Sequence, residues 1–213
     1  MTTAKEDILA RIRASLADNP QPAEPVRAYR RQSQLSAEAT KEMLVDRLID
    51  YKANVFYATE DSLPEKIEEL LGANAHYVIP EGLNQAWLPE DTATRTRVTD
   101  SGNDQKSGAL SLRELDKVDA VITNSTVSCA ETGTIFLNSN PDEGRRAITL
   151  VPDRHICVVK ESTIVELIPE SIARISYERP VTMISGPSAT SDIELIRVEG
   201  VHGPRTLDVI IVA

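Results

Sequence analysis

Aromatic side chains make up only 4 % of this 213-residue sequence, so its core has to be built mainly from Val, Ile, Leu and Ala. Cysteine is scarcer still. Cys129 and Cys157 form no CxxC pair and lack metal-ligand spacing. An iron–sulfur cluster takes about four thiolates, so this chain cannot hold one alone, and no cofactor or metal is expected in it. Sparse thiols suit a reducing compartment, and a cytoplasmic location is expected. No apolar run approaches the roughly 18 residues of a membrane span. The opening MTTAKEDILARIRASLADN has early acids and none of the apolar stretch of a secretory signal. Basic residues are outnumbered 23 to 33, for a net charge of −10, which argues against nucleic-acid binding. The phosphate-cradling patterns GxGxxG and GxxxxGKS/T, the hydrolase pattern GxSxG and the zinc pattern HExxH are all missing.

What remains is an ordinary globular composition, 41 % hydrophobic and 26 % charged, at a length that suits one domain with appendages. Ile8, Leu9, Ile12 and Leu16 recur at helical spacing, which predicts a helix over residues 1–18 with one narrow apolar stripe. Pro20, Pro22 and Pro25 then mark a linker, taken as residues 19–35. The tethered helix can pack on its own domain or on a partner, including a second copy of the chain. Arg27, Arg30 and Arg31 read as a solvated part of the linker.

From residue 36 to 213 helical and strand patterns alternate. Met43, Leu44, Leu48 and Ile49 share a helix face. Asn54–Ala58 reads as a strand, Leu63–Leu71 as a helix stopped by Gly72, and His76–Pro80 as the next strand. Residues 81–110 are weakly periodic, with a strand near Thr96–Val98. Further strands are expected at Val118–Thr123, Gly133–Leu137, Ile148–Val151, Ile156–Val159, Val181–Ile184 and Leu207–Val212, with helical character over Glu166–Ile175. This alternation predicts an α/β fold with a mostly parallel sheet.

Three polar loops attach to these strands, and open α/β sheets bind ligands beyond their strands' carboxyl ends. The first, residues 123–134, is rich in hydroxyls. It contains Glu131, a candidate general base or nucleophile, beside Thr132 and Gly133, where backbone can approach a ligand. A hydroxyl-capped turn is the plainer reading. The second, residues 184–194, turns at Gly186-Pro187 and reads as a helix start. Ser188 and Thr190 would then offer hydroxyls to an anion held by the helix N-terminus, with Asp192 a further ligand-binding candidate, although Ser191 with Glu194 equally fits a capping box. The third, Gly200-Val201-His202-Gly203-Pro204-Arg205, offers His202 as a near-neutral acid–base group, Gly203 for close approach and Arg205 as a carboxylate partner. His155 is a weaker candidate. A Ser188/His202/Asp192 triad can be drawn, but nothing in the sequence supplies its geometry.

Taken together, Asn124-Ser125 through Ala130-Glu131-Thr132-Gly133-Thr134, then Pro152-Asp153-Arg154-His155-Ile156, then Ser185-Gly186-Pro187-Ser188-Ala189-Thr190-Ser191-Asp192-Ile193-Glu194, then Gly200–Arg205 resemble the LUD domain of the LutC/YkgG lactate-utilisation family. The resemblance spans roughly residues 36–213. It implies a three-layer α/β/α fold like the NagB/RpiA/CoA-transferase superfamily, and a part in oxidising L-lactate to pyruvate. It also implies LutA-like and LutB-like partner subunits that carry the iron–sulfur clusters. It supplies no agreed catalytic set, so Glu131 and His202 stand on loop chemistry alone. The competing reading, by analogy of fold, is a stand-alone isomerase or CoA-transferase-type enzyme acting on a small carboxylate or phosphate.

Overall fold

Continuous apolar runs such as Ile156–Val159 and Val209–Val212 suit strands buried on both faces, and they form the centre of a parallel sheet. The computed structural model describes residues 3–102, 108–190, 198–199 and 203–213. The chain begins with α1 (Ala4–Ser15), α2 (Ala37–Asp50), β1 (Asn54–Ala58), α3 (Leu63–Leu71) and β2 (Ala75–Pro80). β3 (Arg95–Asp100), α4 (Leu112–Leu115), β4 (Ala120–Thr123), β5 (Val127–Cys129) and β6 (Thr134–Leu137) follow. Then come β7 (Arg154–Lys160), β8 (Ile164–Val165), α5 (Ile168–Ile172), β9 (Thr182–Ile184), β10 (Ala189–Thr190), β11 (Val198–Glu199) and β12 (Thr206–Val212).

The main sheet has six strands in the order β1-β12-β7-β4-β2-β3, and every neighbouring pair is parallel. Side chains alternate between its faces. Tyr77, Ile79, Ile122, Ile156, Val158 and Ile210 face α3, which buries Leu63, Ile67, Leu70 and Leu71 on them. Cys157, Val159, Leu207, Val209 and Ile211 face the other way, onto Leu44 and Leu48 of α2 and Ile135 and Leu137 of β6. That second layer includes a smaller sheet, ordered β8-β5-β6-β9. The expected mixed α/β fold with a parallel sheet is therefore present, with a four-stranded sheet sharing one face with α2. Asp208, fully buried in β12, accepts hydrogen bonds from Asn54 Nδ2 at 2.8 Å and Arg154 Nε at 2.5 Å. One carboxylate so ties three adjacent strands, and its charge is not left unpaired.

Several local expectations change. Ile148–Val151 is not a strand: Arg146–Thr149 is a single 3-10 turn, which points Ile148 into a cluster with Val78, Leu115 and Val121. The helix expected over Glu166–Ile175 shrinks to α5, because Pro169 can stand only in a first turn. Ser188 does not open a helix. The chain runs into β10, paired antiparallel with β11, so Ser188 is followed by a strand. Ser191 and Glu194 lie outside the described residues. The hydroxyl-rich run after Thr123 is interrupted by β5 and closed by a tight turn over residues 130–133. α1 is capped reciprocally by Thr3 and Glu6, yet buries no residue. Its stripe of Ile8, Leu9, Ile12 and Leu16 stays between 36 % and 60 % exposed, so no described residue buries it.

Candidate functional site

In the smaller sheet β5 runs parallel to β8 and antiparallel to β6, and β6 runs antiparallel to β9. Glu131, Glu166 and Ser185 therefore leave the same edge. Strand spacing near 4.8 Å sets Glu131, beyond β5, roughly 10 Å from Gly186, beyond β9. This edge lies near the end of α2: a Cβ on Gly133 would meet Arg47 Cβ at 2.7 Å, and one on Gly186 would meet Tyr51 Cβ at 2.7 Å. The space beside Gly133 is thus filled by α2. Thr132 Oγ1 lies 2.8 Å from Thr134 Oγ1, which also meets Ser185 Oγ at 2.9 Å.

The second and third polar loops do meet. Ser188 N donates to Pro204 O at 2.8 Å, and Gly203 lies against the Ser188 side chain. Gly186, Ser188 and Gly203 line a cavity of about 170 Å³ with Arg146, Thr149 and His155. It sits by the amino ends of β7 and β12, because His155 and Leu207 are second residues of those strands. His155 is fully buried, with Nε2 at 2.8 Å from Thr123 Oγ1, and burial pushes its pKa down to about 4. Burial likewise pushes the Cys157 thiol up to about 12, so it is unreactive at neutral pH. Arg205 lies 3.7 Å from Asp153 instead of facing this cavity's lining. The Thr190 backbone lies in β10, while Asp192 and His202 lie outside the described residues.

Glu131 belongs to a different cavity, of about 680 Å³, that shares no lining residue with the first. Its carboxylate is paired with Arg30, whose guanidinium also reaches Glu166 Oε1 at 3.5 Å. Glu166 Oε2 accepts hydrogen bonds from Ser33 Oγ at 2.7 Å, Gln34 N at 3.0 Å and Leu35 N at 3.4 Å. Those bonds hold the Glu166 carboxyl below its ordinary pKa. The linker arginines are solvent-exposed, as expected, yet residues 30–35 also form a strap clipped to the edge of the smaller sheet. Arg27, Tyr29 and Arg31 become one wall of the cavity, opposite Leu167, Ile168, Pro169 and Ile172. Arg30 engages Glu131 Oε1, while the Glu131 side chain stays 44 % exposed.

A third cavity, of about 500 Å³, lies beyond the carboxyl ends of the main sheet. The chain leaves β2 toward β3 on one side and leaves β4 toward β7 on the other. This reversal, between β4 and β2, is the topological switch point at which open α/β sheets bind ligands, and the cavity adjoins it over the ends of β2 and β3. The lining includes Pro80 and Gly82 after β2, Asp100 at the end of β3, Asn140, Arg145 and Arg146, with Arg179 and Pro180 opposite. Arg145 grips buried Asp100 through Nε and Nη2, each at 2.9 Å, and also donates to Leu110 O at 2.6 Å. Buried Glu143 organises the loop by accepting from Thr126 Oγ1 at 2.5 Å, Asn138 N at 2.6 Å and Asn140 N at 3.0 Å. Desolvation nevertheless raises its pKa. Gly144 has φ +70°, and a Cβ there would meet Ile148 Cδ1 at 2.5 Å. None of these residues was singled out from sequence. The signal available was Asn138-Ser139-Asn140-Pro141-Asp142-Glu143-Gly144-Arg145-Arg146, a dense turn ending in twin arginines.

A profile of the LUD domain matches residues 41–212. The chain belongs to the LUD-domain family. This LUD-domain protein is 41 % identical to "Lactate utilization protein C" of Deinococcus radiodurans, over 98 % of this chain and 95 % of the relative. A protein of the same name from Bacillus subtilis is 34 % identical over 47 % of this chain and 45 % of its own. A crystal structure of a DUF162 family protein from Deinococcus radiodurans superposes with a TM-score of 0.66 at 35 % identity, covering 84 % of this chain and 99 % of that one. Among the described residues of this LUD-domain chain, no helix is long and apolar enough to cross a membrane. No group of His, Cys, Asp and Glu among them is placed to hold a metal ion.

Proposed function

We propose that this protein serves lactate utilisation as an accessory subunit of an L-lactate-oxidising system, in which iron–sulfur partner subunits carry the electrons. The observation that carries this reading is the near full-length likeness to a protein named for lactate utilisation. Two features of the chain agree with a subunit that leaves redox chemistry to others. Its two cysteines are both buried, in different strands, which is too few thiolates for a cluster. α1 presents an apolar stripe that no described residue buries, which suits docking onto another subunit.

The test is growth on L-lactate as sole carbon source after deletion of the gene, with complementation by the wild type. Loss of growth and its rescue are expected. Unimpaired growth of a deletion strain lacking any paralogue would remove the proposal. In reconstitution, partner subunits alone should reduce an acceptor dye with L-lactate more slowly than partners plus this chain.

A further inference from the structure

We propose that the cavity beyond the carboxyl ends of β2 and β3 is a binding site for a small organic carboxylate, held between Arg146 and Arg179. The argument begins with charge. The chain as a whole is acidic, at −10, yet three guanidinium groups line this cavity against two carboxylates, Glu81 and Asp100. Their duties differ. Arg145 is committed to Asp100 and Leu110 O, which fixes its plane and neutralises its charge locally. Arg146 is exposed, and its side chain has no hydrogen bond or ion pair among the described residues. Arg179 donates only through Nη1, to Asn140 Oδ1 at 2.6 Å. Arg146 and Arg179 therefore have fork donors to spare, and they come from separate segments, one after β6 and one before β9.

Guanidinium forks match carboxylate oxygens two by two, which a lysine ammonium does not. The volume, about 500 Å³, lies in the range of small-molecule sites and leaves room for a body beyond the carboxylate. Ser139 Oγ, which donates to Pro180 O at 3.1 Å, and Asn140 Nδ2, which donates one hydrogen to Thr126 Oγ1 at 2.8 Å, line the same wall, so Ser139 keeps a lone pair and Asn140 a second hydrogen for a hydroxyl or carbonyl beside that carboxylate. The arrangement thus fits a 2-hydroxy or 2-oxo carboxylate. That last choice rests on the proposed function, whereas the carboxylate site itself rests on the arginines and the switch point.

The experiment is calorimetric titration of the full chain at low salt with L-lactate, pyruvate and, separately, inorganic phosphate. Arg146→Gln and Arg179→Gln are tested singly, with Arg113→Gln on α4 as a surface control. Saturable binding of a carboxylate is expected, weakened about tenfold or more by either cavity variant, as loss of a charged hydrogen bond predicts, and unchanged by the control. Unfolding midpoints confirm that each variant folds. Failure of both carboxylates to bind overturns the proposal, as does binding indifferent to both arginines. Binding of phosphate alone also overturns it. Intact, arginine-dependent carboxylate binding beside unimpaired growth of the deletion strain would retire the lactate role while leaving this site standing.

Discussion

Arg145 and Asp100 meet through two parallel hydrogen bonds of 2.9 Å, Nε to Oδ2 and Nη2 to Oδ1, where Asp100 is only 2 % exposed. The pair joins the end of β3 to the loop that closes the arginine cavity. Removing one partner leaves the other only its bond to Leu110, whose N donates to Asp100 Oδ1 at 2.8 Å and whose O accepts from Arg145 Nη2 at 2.6 Å. Asp100→Asn and Arg145→Gln should each destabilise by about 3 kcal/mol. The double variant should cost less than the two effects added, which urea unfolding of the four proteins will show.

His155 gives the fold a dependence on acid. Its pKa is depressed from 6.5 to about 4 by burial, so the folded state holds it neutral. Below about pH 6.5 the unfolded chain takes up a proton that the folded chain refuses. Stability should therefore fall as pH drops from about 6.5 to about 4, by about 3 kcal/mol in all, and this contribution should level off below that. His155→Gln should remove that portion of the pH slope in unfolding experiments. An unchanged slope would mean that His155 already titrates normally in the folded protein.

The strap of residues 30–35 depends on Glu166. With Glu166→Ala, the donors of Ser33, Gln34, Leu35 and Arg30 lose their shared acceptor. Trypsin should then cut after Arg27, Arg30 and Arg31 severalfold faster than in wild type, while the remaining domain stays resistant. Because the Glu166 pKa is lowered, the wild-type strap should keep its protection down to a pH below the ordinary carboxylate range.

Gly144→Ala should destabilise the loop wall of the arginine cavity. It places a Cβ at φ +70° and 2.5 Å from Ile148 Cδ1. A left-handed residue with a side chain costs about 1–2 kcal/mol before that clash is counted. A loss of about 2 kcal/mol or more is expected by denaturant unfolding, together with weaker carboxylate binding.

Deletion of residues 1–18 should leave the stability of the remaining chain within about 0.5 kcal/mol of wild type, because α1 buries no residue. The same deletion should weaken association with partner subunits, read by co-purification. A large drop in unfolding midpoint would show that the helix packs on its own domain.

The parallel sheet was legible because β7 and β12 are buried on both faces, which leaves an apolar run that few other structures tolerate. Ile148–Val151 carried the same local signal but became a turn, since only the packing of Ile148 against Val78 and Leu115 decides its geometry. Nothing local told whether the polar loops meet, and the adjacency of Ser188 and Pro204 emerges only in the fold. The partner of Glu131 was hidden too, because Arg30 lies 101 residues earlier and no local pattern links them. The arginine cavity was equally hidden. Arg145, Arg146 and Arg179 become neighbours of Pro80 and Asp100 only once the strand order is known.

β12 lies between β1 and β7, and Asn54 pairs with Asp208 across 154 residues of sequence. A nascent chain emerging from the ribosome must therefore hold β1 apart from the rest of the sheet until its last strand is synthesised. Contacts so distant in sequence form slowly, and the unfilled slot exposes unpaired backbone along two strands meanwhile. Stop codons or frameshifts before Thr206 should yield aggregates rather than shortened working proteins, and expression at low temperature or with chaperones should favour the native yield.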